Sequence, residues 1–510
     1  MKTQITTALV IIFLVLTVST AAFGATLTVT KTADSLDGAC NADCSLREAM
    51  TAAVSGDAIV FGINPATDAG CVSETGVCTL QPLSGLPVLT QGNIIINGFS
   101  QTGAVMNTAD FPAAINASLK VVIDGTLAGS VSAFLVNSGH NAIKGLVIQE
   151  FAGRGVYVYG GDENIIQGCF IGVDVTGELD KGNGYSGVLL GGAVRDNIIG
   201  TDGDGIADAG ERNLISNNAS GGIYLDDAGG NRVAGNFIGT NKTGLVDLGN
   251  TANGIWALEG SDDNIIGTDG DGVYDAGEGN LVSGNVSSGI ALTSYNNIVA
   301  GNYIGVTAGG NASLKNDNSG ISITGNGNRV GTNGDGVSDV LERNIISGNS
   351  GLSMRGIIGG GTSQDVVVAG NYIGVGADGV TDVGQDRGIQ TTSTTSNWIM
   401  GTNGDGNGDA GEGNVISGNV YNVYLEGTSH VIAGNIVGLR ADGLAAMDST
   451  YGVRVFGGTG HRVGTNADGV SDSAERNILS GQTAFGVNVE GDASNTVIAG
   501  NYIGTDITGA

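Results

Sequence analysis

Proline is nearly missing from this chain, at 4 residues of 510, and aromatic residues make up only 5%. Basic residues are also scarce, 20 against 50 acidic, which leaves a net charge of −30. A surface that acidic repels nucleic acid and anionic lipid, and it suits divalent cations. No segment sustains a 3.6-residue apolar period, which excludes an α-solenoid. The one marked apolar run is Ala8–Leu16, too short to span a bilayer comfortably, so the mature chain carries no membrane span. There is no P-loop and no Ser-His-Asp pattern, and the three histidines (His140, His430, His461) are scattered, which suggests neither a metal nor a nucleophilic site.

What is present is glycine, 92 residues, beside 41% hydrophobic residues. Disordered Gly-rich chains lack that much Val, Ile and Leu, so the chain has material for a continuous core, with many tight turns between short strands. Lys2, the run Ala8–Leu16 and the small residues of Ala22-Phe23-Gly24 have the order of a secretory signal, so residues 1–24 are expected to be removed on export. Five cysteines fit an oxidising compartment. Cys40 with Cys44 and Cys71 with Cys78 are expected to pair locally, though four cysteines allow three connectivities, and Cys169 is expected to be a buried free thiol.

Two ladders of repeats run along the chain. One is a Gly followed by a branched apolar residue, beginning at Gly155, Gly187, Gly222, Gly254 and Gly289 and continuing to Gly486, with alternating short and long gaps. The other is Gly-x-[FYI]-[IV]-Gly at Gly168, Gly235, Gly301, Gly370, Gly434 and Gly500, spaced by about 67 residues. The unit is therefore a pair of coils, each with three apolar stretches of strand length. Strands that recur once per coil must pair with their counterparts in the next coil, which predicts an all-β, single-stranded right-handed parallel β-helix. Asn236, Asn302, Asn371, Asn435 and Asn501 share one place in the repeat and are expected to form a structural hydrogen-bond ladder, with Cys169 at its first position. Ser45 and Glu48 have capping-box spacing and open a short helix running to about Val54. Residues 25–90 are expected to cap the stack and residues 91–510 to form the β-helix. The chain ends inside a repeat at NYIGTDITGA, so it is either a fragment or leaves its last coil bare.

Cys44-Ser45-Leu46-Arg47-Glu48-Ala49, within TLTVTKTADSLDGACNADCSLREAMTAAVSGDAIVF, resembles the N-terminal CSLREA domain of secreted and surface bacterial proteins. The remainder of the mature chain resembles the pectin-lyase-like β-helix repeats that accompany that domain. The resemblance implies export, a bacterial surface or secreted location and the fold, and it carries no catalytic residues to this chain.

Every second coil holds one acidic loop, and the five align with the twelve-residue EF-hand pattern at every ligand position but the first, which is glycine. In the loop from Gly200 the calcium ligands would be Asp202, Asp204, the Ile206 carbonyl, Asp208 and Glu211. The matching sets are Asp269, Asp271, Val273, Asp275 and Glu278, then Asn333, Asp335, Val337, Asp339 and Glu342. They continue with Asn403, Asp405, Asn407, Asp409 and Glu412, and end with Asn466, Asp468, Val470, Asp472 and Glu475. Asp-Gly and Asn-Gly also form turns unaided, but a turn does not need the distal glutamate.

Along the first strand of each coil, the period of two points one column outwards. Its early members Tyr157, Tyr224 and Trp256 would give an aromatic ridge suited to a sugar chain. The neighbouring turns are rich in acids, and among them Arg195, Asp227 and Glu259 could be placed for acid, base or electrostatic roles in catalysis. These features predict an exported, monomeric surface or secreted protein that binds glycan, matrix or cell envelope, with calcium as its cofactor. The alternative is a polysaccharide lyase or glycoside hydrolase acting on acidic polysaccharide, and a passive stalk ranks third.

Overall fold

Each coil of the chain lays down three short strands. One coil is made of Ile223–Asp226, Arg232–Ala234 and Phe237–Ile238. In a computed structural model that describes residues 24–349 and 355–510, these strands stack into three sheets around a single interior. Sheet I has 12 strands, from Phe134–Asn137 to Gln482–Val489. Sheets II and III have 15 each, ending at Val497–Ala499 and Tyr502–Ile503. All their ladders are parallel except the hairpin of Cys71–Val72 with Val77–Leu80. The molecule is an all-β right-handed parallel β-helix. The predicted leader, residues 1–24, lies outside the described residues apart from Gly24.

Register follows the sequence repeat. Val156, Val188, Ile223 and Ile255 pair in succession and are all fully buried, because residues two apart on a strand face the same side. A strand of two or three residues leaves backbone groups at each corner without ladder partners, and a dry interior penalises that. Asparagine supplies the partners. Asn213, Asn236, Asn280, Asn302, Asn344 and Asn371 each donate from Nδ2 to the Oδ1 of the next at 2.9–3.0 Å, and the ladder runs on to Asn501. Cys169, a buried free thiol, stands at its first rung and donates its N–H to Asn213. The sequence pattern revealed every second rung of this ladder. Two further ladders stand at the other corners, one from Asn141 through Asn164 and Asn197, the other from Asn183 through Asn218 and Asn250. The first of these stops at Asn328; after Val366 and Trp398 the same register holds a stacked pair, His430 and His461, whose Nδ1 atoms accept backbone N–H groups as the asparagines do.

The N-terminal region joins the same stack. Thr26–Val29 pairs with Ala58–Phe61, which pairs with Ile95–Asn97, so sheet II begins at its first described strand. The helix is Leu46–Ala52, with the capping box formed by Ser45 and Glu48, and it buries Leu46, Ala49 and Met50 against the interior. Bonds from the Ser45 and Asp37 backbones hold the Glu48 carboxyl down at about 2. The disulfides are Cys40–Cys44 and Cys71–Cys78, both local. Residues 101–119 leave the coil path as an arm that lies on the outside of sheet III, where Phe111 packs against Phe237 and Tyr303.

Candidate functional site

The five acidic loops share one backbone. A threonine that the alignment with calcium loops overlooked organises it. Thr201 donates its hydroxyl to Asp208 at 2.6 Å and accepts the Gly203 N–H, and Thr268, Thr332, Thr402 and Thr465 repeat the bond to Asp275, Asp339, Asp409 and Asp472. The only signal for it was the Gly-Thr that opens every loop. The glutamate at position 12 turns inwards and accepts the N–H of position 3, as Glu211 does from Asp202 at 3.1 Å. Asp204 and its counterparts Asp271, Asp335, Asp405 and Asp468 sit at the exposed tip, where each accepts the N–H two residues on. Of the expected ligand sets, the structure therefore groups positions 3, 9 and 12 and leaves 5 and 7 at the tip. Carboxylate oxygens of Asp202, Asp208 and Glu211 lie within 4.8 Å of one another, and so do those of Asp269, Asp275 and Glu278. Such a cluster could hold a metal ion.

In the last three loops position 3 is asparagine, and its amide turns away to donate to the tip aspartate, as from Asn333 to Asp335, Asn403 to Asp405 and Asn466 to Asp468. Arginine also distinguishes the loops. Arg329 and Arg462 donate to Glu342 at 3.0 Å and to Glu475 at 2.8 Å, each from the strand that leads into its own loop. Arg232, from the coil before, pairs with Asp269 at 2.5 Å and with Glu278. Among the described residues no arginine or lysine pairs with Glu211 or Glu412. Burial pushes the Glu211 carboxyl up to about 7 and raises Glu412 as well; it lifts Glu278 to about 7 even beside Arg232.

The loops also interlock. A Cβ on Gly203, Gly270, Gly334 or Gly404 would meet the glutamate of the next loop, at 2.0–2.7 Å from its Oε1. These positions also have φ near +70°, which favours glycine, and the close approach of the next loop's glutamate is what requires it. The fifth loop has Ala467 there, and no later loop among the described residues stacks on it.

On sheet I, the expected outward column is a true register line. Tyr157 pairs with Leu189, Leu189 with Tyr224, Tyr224 with Trp256 and Trp256 with Ala291. Tyr157, Tyr224 and Trp256 are half-buried by their neighbours and do not stand free as a ridge. Arg154 lies over the Tyr157 ring at 5.0 Å, and Tyr224 meets Trp256 edge-on at 5.4 Å. Arg195, Asp227 and Glu259 fall on successive coils beside this column, and among the described residues none forms an ion pair.

The same sheet carries a second cluster, of which the expected outward column holds Tyr424 and Arg454 while Tyr421, Tyr451, Phe485 and Arg387 were not expected. Tyr421 stacks on Tyr451 at 4.7 Å and 6°, Tyr451 stacks on Phe485, and Arg454 lies 5.2–5.3 Å over Tyr421 and Tyr424. Arg387 adds a second cation over Tyr424 at 4.5 Å. Its Nε is buried without a hydrogen-bond partner although the Asp386 carboxylate is 3.4 Å away, because the group is out of line. The signal was present in RGIQ, YNVYL and YGVRVF, three residues ahead of the outward column.

No protein-family model matches the chain, the CSLREA domain included, and no curated protein matches it. Solved β-helix structures are similar in fold. The mannuronan C-5 epimerase AlgE6 A-module of Azotobacter vinelandii is 12% identical, with a TM-score of 0.38 over 89% of this chain and 94% of that one. A PL6 alginate lyase seen with a trisaccharide is 12% identical, with a TM-score of 0.39 over 94% and 88%. Pectate lyase Pel9A is 11% identical, with a TM-score of 0.28 over 81% and 80%. The likeness is one of architecture.

Proposed function

We propose that this protein is an exported glycan-binding β-helix, with the outer face of sheet I as its binding surface and the acidic loop from Gly200 as a calcium site. The observation that carries the reading is the alignment of Tyr157, Tyr224 and Trp256, all part-exposed, in one register line, resumed by Arg454 in the C-terminal half of the same sheet. Tyr224 and Trp256, one coil apart, offer part-exposed aromatic surface that suits the apolar face of a sugar ring. Surface or secreted location rests on the leader-like N-terminus. Among the described residues no helix is long and apolar enough to cross a membrane.

Calcium is assigned first to the loop from Gly200, which has three grouped carboxylates and, among the described residues, no competing arginine. Its Asp202, Asp208 and Glu211 would hold the ion, and the ion would supply charge balance between stacked loops.

Trp256 makes the reading testable, because the second tryptophan, Trp398, is fully buried and gives a constant background. Titrating plant, algal and bacterial polysaccharides should give a saturable fluorescence change that Trp256→Phe removes and Tyr224→Ala weakens about ten-fold. Silence across all three classes would end the proposal. The second reading, a lyase or hydrolase, rests on Arg195, Asp227 and Glu259, which lie on successive coils beside the same column and form no ion pair among the described residues. Release of reducing ends or 4,5-unsaturated uronates, lost in Asp227→Asn and Glu259→Gln, would establish it.

A further inference from the structure

The first acidic loop differs from the other four in what lies beneath its glutamate. In all five, the glutamate carbonyl accepts an N–H from a glycine of the preceding coil. Gly168 donates to Glu211 at 2.8 Å, Gly235 to Glu278 at 2.7 Å, Gly301 to Glu342 at 2.8 Å, Gly370 to Glu412 at 2.7 Å and Gly434 to Glu475 at 2.9 Å. The residue before that glycine ends a strand of sheet II. It is alanine beneath the later loops (Ala234, Ala300, Ala369 and Ala433) and Gln167 beneath the first.

Ile166 fills the interior, so by the period of two Gln167 turns out of sheet II, to the side where the loop lies. Gln167 is nonetheless only 1% exposed, and neither its Oε1 nor its Nε2 has a hydrogen-bond partner among the described residues. Its neighbours place it at the carboxylate cluster. Gly168 follows it in the chain and holds the Glu211 backbone. Lys144 is its register partner on the coil before. Burial raises the Asp202 and Glu211 carboxyls, and the charge of Lys144 lowers both, although it forms no ion pair with either among the described residues. Beneath a later glutamate the preceding loop closes the space, since a Cβ on Gly203 would stand 2.0 Å from Glu278 Oε1. Among the described residues no loop precedes the first, which leaves room there for a side chain longer than alanine. The arm closes the same turn from outside, where Asn107 Nδ2 donates to the Ala209 carbonyl at 2.6 Å and Met106 lies against Gly210.

A buried amide without partners costs stability, and its carbonyl oxygen is the neutral hard ligand that calcium takes beside carboxylates. We infer, resting on the calcium assignment already given to this loop, that Gln167 Oε1 is a further ligand of that ion beside Asp202, Asp208 and Glu211, whose carboxylate oxygens lie within 4.8 Å of one another. Gln167 also separates the first loop from the second. Asp269, Asp275 and Glu278 are grouped as closely, but Ala234 stands beneath them and the Arg232 guanidinium already meets Glu278.

The test is calcium binding to the full chain, by equilibrium dialysis against radioactive calcium at pH 8, with parallel thermal melts in chelator. The parent should show one site tighter than any other. Gln167→Met keeps the length of the side chain and removes the amide. It should weaken that site about ten-fold and, because no hydrogen bond is lost, melt no lower than the parent in chelator. Gln167→Glu adds a carboxylate, so it should tighten the site about ten-fold while melting lower than the parent in chelator. Equal calcium affinity in Gln167→Met and the parent would overturn the role of Gln167 and leave the loop's calcium assignment standing. No binding by the parent at ~10 mM calcium would overturn both. A Gln167→Met variant that melts well below the parent in chelator would show an amide already engaged by the fold, and would overturn its role as a ligand.

Discussion

The first and third acidic loops have the same backbone turn and the same inward glutamate, yet they treat that glutamate differently. Glu342 is fully buried and meets Arg329; Glu211, nearly as buried, meets no arginine and is pushed up to about 7. Repetition has therefore copied the turn without copying its electrostatics. In the third loop the protein supplies its own cation. In the first, negative charge is left uncompensated beside the two aspartates of the cluster, which is why the calcium assignment begins there. The strand arginine supplies the third loop with a counter-charge that, among the described residues, the first loop lacks.

The comparison holds only if the two loops sit on equivalent scaffolds, and the largest expected effect checks that. Asn213→Ala and Asn344→Ala remove matching ladder rungs, each joined above and below in the stack. Each should cost about 3–5 kcal/mol in urea unfolding, by analogy with losing several buried hydrogen bonds at once. Clearly unequal costs would mean that the scaffolds themselves differ.

Glu342→Gln should then cost about 3 kcal/mol at neutral pH, because Arg329 is left half-buried without its counter-charge. A neutral outcome would show that this ion pair contributes nothing.

Glu211→Gln should have the opposite sign. The folded carboxyl titrates at about 7 against 4.5 when unfolded, so the folded state holds the extra proton between those values. That contribution is complete below 4.5 and is lost as pH rises through 7, so a glutamine, which never ionises, should stabilise by about 1–2 kcal/mol at pH 8 and hardly at all at pH 5. Paired melts of the variant and the parent at the two pH values decide it.

The smallest expected effect is that of the ion. Millimolar calcium should raise the melting temperature by about 1–2 °C at pH 8 and less at pH 5, where the proton competes. Glu211→Gln should reduce the rise more than Glu342→Gln. Identical curves with calcium and with a chelator would show that the loops are turns and nothing more.

The architecture was legible because a solenoid repeats its burial pattern at fixed spacing, so Gly155, Gly187 and Gly222 announce one sheet without reference to anything distant. The Asn236-to-Asn501 ladder was legible only at every second rung, because Asn280 and Asn344 lie in Glu-Gly-Asn and Glu-Arg-Asn contexts that look unlike the Gly-Asn motif. The loops were recognisable by their acids, yet the groups that set their electrostatics lie outside the twelve-residue window. Arg329 is two residues ahead of its loop and Arg232 belongs to the preceding coil. The Tyr421–Arg454 cluster was legible only in Tyr424 and Arg454, because two register lines of one sheet converge there and the period of two picks out only one of them.

The sequence by itself determined the coil, the period and which residues face the interior, because these depend on neighbours a fixed number of residues away. Tertiary structure alone decided which glutamates meet an arginine, where the arm lies and where it stops. Those outcomes depend on groups brought together from coils or arms tens of residues apart, and no local pattern encodes that distance.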